Sequence, residues 1–187
     1  MRKKFLFLSG STRKDSFNTT LARYCAEVAK THDVDVEFVD LADYPMPIFN
    51  QDLESESGAP ETAKALKEKF VSANGFLIAS PEYNSTITPV LKNTIDWLSR
   101  KYDDSEPRLV CFSDKAAAIV STASGVLGGL RGLNPLRLLL SHIGVNVVGK
   151  QLAVGFAQEA FDDKGKLVSQ DQAEAINTII KTLIRIG

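Results

Sequence analysis

The chain has 187 residues, of which 44% are hydrophobic and 24% are charged, and its formal net charge is −1. This length and composition predict one globular domain, 1–187, with a substantial core. The near-neutral charge provides no basic field for nucleic acid or an anionic membrane surface, and no apolar stretch is long enough to cross a bilayer. The two cysteines, Cys25 and Cys111, form no C-x-x-C pair, so we expect no disulfide framework and a cytoplasmic location.

Strand-like and helix-like patterns alternate from the start of the chain. An apolar run predicts a first strand at about Lys4–Ser9. Apolar residues spaced i, i+3, i+4, i+7 and i+8 predict a first helix at about Phe17–Lys30. Apolar and acidic residues then alternate over Val34–Val39, which is typical of a half-exposed edge strand.

In the first part of the middle of the chain, the apolar residues show no helical or strand periodicity. Prolines, a glycine and carboxylates in Leu41–Ala59 predict a long loop with room for a helical turn. Pro60 begins the second helix, and the apolar run Gly75–Ala79 predicts strand three. Thr88 as N-cap and Pro89 in the first turn begin helix three. The apolar stripe of that helix consists of Leu91, Ile95 and Leu98.

The last third of the chain continues the alternation. A mostly polar stretch, Lys101–Ser113, predicts a loop, and Ala116–Ser121 predicts strand four. Helix four is expected at about Leu130–Ile143 with an interruption near Pro135. Strand five is expected at Asn146–Val148, with an extension toward Val154 open. The final helix has the clearest amphipathic stripe, formed by Ile176, Ile179, Ile180, Leu183 and Ile184.

This alternation predicts a parallel sheet with helices on both faces. Five strands, with polar or small-residue loops after strands one, three and four, fit the flavodoxin-like α/β three-layer sandwich with strand order 2-1-3-4-5. In that order ligands bind at the switch point between strands one and three. Two of the marked loops follow those two strands.

The loop after strand one, Gly10–Asn18, has the composition of a phosphate site. A helix N-terminus offers unpaired N–H donors and a partial positive charge. Ser11, Ser16 and Asn18 add short polar side chains, and Arg13 adds a bidentate cation. The alternative is an ordinary turn in which Ser16 caps the helix. The spacing matches neither a P-loop nor a dinucleotide fingerprint.

The loop after strand three, Ser80–Ser85, combines polar residues with an aromatic ring. Tyr83 can offer a π-face to a planar ligand, although an exposed loop tyrosine is also routine. Glu82 is either a general base or a surface acid whose backbone matters more, and we favour the second interpretation. A phosphate cradle beside a loop for a flat ring predicts flavin mononucleotide (FMN) as the ligand.

Other chemistries are poorly supported by the sequence. Ser124 lies outside a G-x-S-x-G elbow, and His32 and His142 suggest no catalytic triad. The two histidines and two cysteines have no metal-ligand spacing, so no metal site is expected.

Four motifs together resemble the NADPH-dependent FMN reductase family, which includes chromate, quinone and azo-dye reductases. The resemblance covers about Leu6–Gly129 and is specific for FMN on a flavodoxin-like fold. The motifs are Gly10-Ser11-x-Arg13-x-x-Ser16-x-Asn18, Pro81-Glu82-Tyr83-Asn84-Ser85, Leu91-Lys92-Asn93-x-Ile95-Asp96-Trp97-Leu98-Ser99-Arg100 and Ser124-Gly125-x-x-Gly128-Gly129.

The resemblance implies a two-step enzyme that uses NADPH or NADH and passes hydride through bound FMN to a small acceptor: a quinone, free flavin, azo compound or chromate. The flavin carries the chemistry, so no catalytic side chain is expected. The expected phosphate ligands are Ser11, Arg13, Ser16 and Asn18. The residues expected to meet the ring are Pro81, Glu82, Tyr83, Asn84 and Ser85, and those expected to allow close backbone approach at its other edge are Ser124, Gly125, Gly128 and Gly129.

The resemblance also implies a homodimer or a homotetramer with helix three at an interface. Trp97 and Val90 lie beside the apolar stripe of that helix, which predicts an exposed tryptophan on a partner surface. The alternative function is a flavodoxin-type electron carrier for protein partners, but such carriers are usually strongly acidic. A third interpretation, a flavin-free binding module, would leave Arg13 without a role.

Overall fold

The computed structural model describes residues 2–187. Within that range the regular elements are strands β1 (Lys4–Ser9), β2 (Asp35–Val39), β3 (Gly75–Ala79), β4 (Ala116–Thr122), β5 (Asn146–Val147) and β6 (Leu152–Val154), and helices α1 (Phe17–Lys30), α2 (Gln51–Ser57), α3 (Glu61–Ser72), α4 (Pro89–Leu98), α5 (Leu130–His142) and α6 (Gln170–Ile186).

The strands form one parallel sheet in the order β2-β1-β3-β4-β5, as predicted. The fifth position differs in detail, because two short strands share it. β5 pairs with the start of β4, and β6 pairs with its end through Val120–Thr122. Residues 2–187 therefore contain six strands rather than five. This arrangement places the carboxyl ends of β1, β3 and β4 side by side.

Alternating side chains of the strands build two cores. Leu6 and Leu8 of β1 join one core with residues of α3, α4 and α5. Phe5 and Phe7 join the other core with residues of α1 and α6. A strand buried on both faces is a continuous apolar run, which is why the apolar runs and the helical stripes together predicted the layers.

Two helical predictions need correction. Residues 41–59 hold more helix than a turn, because Asn50 caps α2 by accepting from Asp52 N at 2.8 Å and Gly58 ends it with φ +72°. α5 runs through Pro135 without interruption. A proline in the second turn of a helix removes one backbone hydrogen bond, and the apolar stripe of α5 holds the helix together.

The side chain of Trp97 is fully buried, so the prediction of an exposed ring is wrong. Its Nε1 donates to Pro47 O at 2.8 Å, and its ring meets Phe49 edge-on with centroids 5.0 Å apart. Asn93 holds the same segment by donating to Pro47 O at 2.9 Å and accepting from Phe49 N at 2.8 Å. The chain's own 45–49 segment covers this side of α4, and Trp97 gives no support to a partner surface.

The predicted loop at Lys101–Ser113 consists of turns and is anchored by a buried lysine. Lys67 on α3 donates to Arg100 O at 2.6 Å and pairs with Glu106 at 2.5 Å. Among residues 2–187, no helix has both the length and the apolar character needed to cross a bilayer.

Candidate functional site

The loops after β1, β3 and β4 meet in a cleft of about 190 Å³, which we call the strand-end cleft. Two clefts of about 450 Å³ lie elsewhere, against α1 and α3, but neither is lined by these three loops. We place the site at the smaller cleft because parallel sheets bind ligands at the carboxyl ends of their strands. Its lining residues are Ser11, Arg13, Ser16, Phe17, Asn18, Pro81, Tyr83, Thr122, Ala123 and Ser124.

The structure therefore brings together predicted residues from all three loops. Glu82, Asn84, Ser85, Gly125, Gly128 and Gly129 are predicted site residues outside this lining. Phe17, Thr122 and Ala123 line the cleft but were not predicted. Phe17 follows the predicted N-cap Ser16, and Thr122 and Ala123 are the two residues after the predicted end of strand four, so position in the fold was the signal that could have found them.

The N-terminus of α1 is open toward the cleft. Ser16 is the N-cap residue, but its side chain makes no capping hydrogen bond to residues 2–187. Ser11 Oγ instead accepts from Arg13 N at 3.1 Å, which shapes the preceding turn. A helix that begins without a side-chain cap leaves backbone donors for an anion, so this end fits a phosphate group.

Arg13 is exposed and weakly held. Its guanidinium lies 6.0 Å from the Phe17 ring and donates to Lys14 O at 3.3 Å. A guanidinium with most of its donors free, next to an uncapped helix N-terminus, suits a phosphate monoester.

Asn18 is used within the protein. Its Nδ2 donates to Thr122 O at 2.8 Å, and its Oδ1 accepts from Thr122 N at 3.0 Å. Both residues are buried. The amide thus ties the phosphate loop to the end of β4 across 104 residues of sequence, and it positions the two loops rather than offering a free N–H donor to a phosphate.

The loop after β3 forms a two-residue hairpin. Tyr83 N donates to Thr86 O at 2.9 Å, and Thr86 N donates to Tyr83 O at 3.1 Å. Asn84 and Ser85 have φ of +51° and +64°, as a type I′ turn requires. Serine rarely adopts this conformation, so the turn is strained. It holds Tyr83 at the edge of the strand-end cleft with half of its surface exposed.

Glu82 is not a surface acid. Its side chain is mostly buried, and its Oε2 accepts from Gly132 N at 3.2 Å in the first turn of α5. A carboxylate in this position shares a first-turn N–H that also donates to Gly129 O at 3.1 Å, and it interacts favourably with the helix dipole. Glu82 therefore fixes α5 to the hairpin loop.

The glycines after β4 are required by the fold itself. Gly128 and Gly129 have φ of +60° and +88°. A Cβ on Gly129 would lie 1.9 Å from Ser121 Oγ, and one on Gly128 would lie 2.4 Å from the Val154 carbonyl carbon. Gly125 has open space around its Cβ position, so the fold itself does not require a glycine there. Of the three, it is the one whose small size would leave room for a ligand.

Neither thiol belongs to the site. Both cysteines are free and buried. Burial raises the pKa of Cys25 well above its ordinary value and raises that of Cys111 to about 12, so both stay protonated and unreactive. Within residues 2–187 no group of three His, Cys, Asp or Glu side chains could hold a metal ion, and the donor set of the cleft remains that of an anion site.

Comparison with known proteins gives a consistent result. The model of the family described as "NADPH-dependent FMN reductase" matches residues 3–159. A 2-hydroxy-1,4-benzoquinone reductase from Burkholderia sp. is 32% identical over 181 residues, which cover 96% of this chain and 93% of that protein. An NADPH:quinone oxidoreductase from Arabidopsis thaliana is 34% identical, over 94% of this chain and 87% of that protein.

Among solved structures, the flavoenzyme NAD(P)H:(acceptor) oxidoreductase FerB from Paracoccus denitrificans superposes with a TM-score of 0.82 at 26% identity, covering 98% of this chain and 96% of that one. The family match spans the phosphate loop, the hairpin loop and the loop after β4, which are the segments that line the strand-end cleft. The chain belongs to the NADPH-dependent FMN reductase family.

Proposed function

We propose that this protein is an FMN-dependent NAD(P)H oxidoreductase that reduces small acceptors, with quinones as the favoured class. The observation that carries the proposal is the meeting of an uncapped α1 N-terminus, an exposed Arg13 guanidinium and the strained Tyr83 hairpin at the carboxyl ends of adjacent strands. Relatives named as quinone reductases, similar over nearly the full chain, support the choice of acceptor.

In this proposal the chain binds and orients, and bound FMN supplies hydride transfer between the nicotinamide and the acceptor. Ser11, Ser16, Arg13 and the first backbone N–H groups of α1 would hold the phosphate. The Tyr83 hairpin and the loop beginning at Ser124 would contact the flavin ring.

A flavodoxin-type electron carrier is the alternative. That function is usually associated with a strongly acidic surface that docks protein partners, whereas this chain has a net charge of −1. The family relationship also favours an enzyme. We therefore retain only the reductase.

Further parts of the proposal concern the whole molecule. We propose a single domain, 1–187, that works in the cytoplasm, where two free buried thiols are at no disadvantage. We also propose a homodimer or a homotetramer. Trp97 does not support assembly, so this proposal rests on the family relationship.

The test is the absorbance spectrum of the purified protein, followed by anaerobic addition of NADPH and then of a benzoquinone. We expect a flavin spectrum that bleaches with NADPH and returns with quinone, and steady-state rates that give parallel double-reciprocal lines. Intersecting lines would show that both substrates bind at the same time. They would refute a ping-pong reaction, in which the oxidised nicotinamide leaves before the quinone binds. A protein that binds no flavin after incubation with FMN would refute the proposal as a whole.

A further inference from the structure

Exposed apolar side chains gather beside the strand-end cleft. Val126 is 70% exposed, Leu127 is 42% exposed and Phe156 is 54% exposed. Single apolar residues on a surface need no explanation, but these lie on two segments whose backbones touch. The Cβ position of Gly155, next to Phe156, is 2.5 Å from Val126 O. They therefore form one apolar wall, which we define as Val126, Leu127 and Phe156.

Two hydrogen bonds fix this wall to the cleft. Ala123 N donates to Val154 O, and Ala157 N donates to Ala123 O, both at 3.2 Å. Ala123 lines the strand-end cleft. Phe156 lies between the two anchor points, so its position is set by the backbone of a cleft residue.

Phe156 is also held in an unfavourable conformation. Its φ is +51°, which is a genuine outlier for a bulky residue. Its carbonyl oxygen accepts from Glu159 N at 2.9 Å and from Ala160 N at 3.1 Å, so the conformation is fixed by the following turn. A strained backbone that displays a half-exposed aromatic ring is unfavourable for the isolated protein, and strain of this kind concentrates at functional sites.

We propose that the wall of Val126, Leu127 and Phe156 binds the apolar part of the electron acceptor and makes the enzyme selective for lipophilic quinones over charged acceptors. This inference rests on the proposed reductase function of the strand-end cleft. The three side chains carry no charge to pair with the phosphates of a nicotinamide dinucleotide, which favours an uncharged, apolar occupant. Three partly exposed side chains also offer far less than the roughly 800 Å² that each partner buries in a standard protein interface, which favours a small molecule over a second copy.

The test uses Phe156→Asn, because asparagine accepts a left-handed backbone and the variant should fold at least as well as the parent protein. The rates are measured with benzoquinones that carry alkyl chains of increasing length and with ferricyanide as a charged acceptor. We expect the preference for long-chain quinones over ferricyanide to fall by about tenfold, mainly through a higher KM for the quinones. Leu138→Gln, at an exposed site on the outer part of α5, should keep the parent preference.

Three results would overturn the inference. An unchanged preference in Phe156→Asn would show that the wall does not contact the acceptor. A smaller particle mass of that variant by light scattering would assign the wall to a second copy of the chain. A parent protein that binds no FMN, or whose flavin NADPH does not reduce, would refute the reductase function as well, and this result is visible before any variant is compared.

Discussion

The replacement Asn18→Ala separates a role in the fold from a role in ligand binding. The sequence motif assigns Asn18 to the phosphate, whereas in the structure its amide is hydrogen-bonded to both backbone groups of Thr122. Alanine would leave that N–H and that carbonyl without partners in a buried place, since both residues are less than 5% exposed.

The expected cost follows from these two groups. Each buried polar group left unpaired costs about 1–3 kcal/mol, and entry of water into the gap would reduce the sum. We therefore expect the free energy of unfolding to fall by about 2–4 kcal/mol. For a chain of this size that corresponds to a decrease in Tm of about 4–16 °C.

The assay is urea unfolding of the flavin-free protein, because bound FMN would add its own stabilisation. Thr19→Ala, in the same turn of α1, serves as the control and should change stability by less than about 0.5 kcal/mol. If flavin-free Asn18→Ala unfolds within about 0.5 kcal/mol of the parent protein while its FMN affinity drops, the tie to Thr122 is unimportant and the residue acts on the phosphate alone.

Three further predictions concern other residues. Arg13→Ala should weaken FMN binding by about 1.5–3 kcal/mol in a fluorescence titration with no loss of stability, and Lys14→Ala should bind FMN nearly normally. Gly129→Ala should lose about 2–5 kcal/mol of stability from its left-handed backbone and the overlap with a buried hydroxyl, whereas Gly125→Ala should be neutral in the same urea unfolding experiment. Partial burial alone would raise the pKa of Glu37, but hydrogen bonds from two lysines outweigh it and lower that pKa, so Glu37 stabilises the fold above the unfolded pKa of about 4.3 and loses this effect as the pH falls. Thermal unfolding between pH 6 and about 3 should therefore be less pH-dependent in Glu37→Gln, and an unchanged profile would contradict this assignment.

The layers of the fold were predictable from sequence because local patterns determine them. The run Gly75–Ala79 is apolar because β3 is buried on both faces, and Thr88 with Pro89 begins α4 as expected, with Thr88 Oγ1 accepting from Leu91 N at 3.3 Å. Such signals lie within a few residues of the element that they describe, so one sequence is sufficient to read them.

The errors arose where contacts join distant segments. The helical pattern around Trp97 could not reveal that residues 45–49, about 50 positions earlier, fold over the ring. The partner of Asn18 is 104 residues away. The split of the fifth strand depends on how residues 146–154 meet β4, and that register is also non-local.

The motif residues therefore fall into two groups that experiments can separate. Asn18, Glu82 and Gly129 make contacts within the protein, so we expect their replacement to lower the stability of the flavin-free chain and to affect FMN only through the shape of the cleft. Arg13 and Tyr83 are exposed and little used by the fold, so we expect Arg13→Ala and Tyr83→Ala to change FMN affinity and leave flavin-free unfolding unchanged. Measuring both quantities for each variant tests the division directly: a loss of flavin-free stability in Arg13→Ala, or unchanged stability in Glu82→Ala, would show that the motif is not divided in this way.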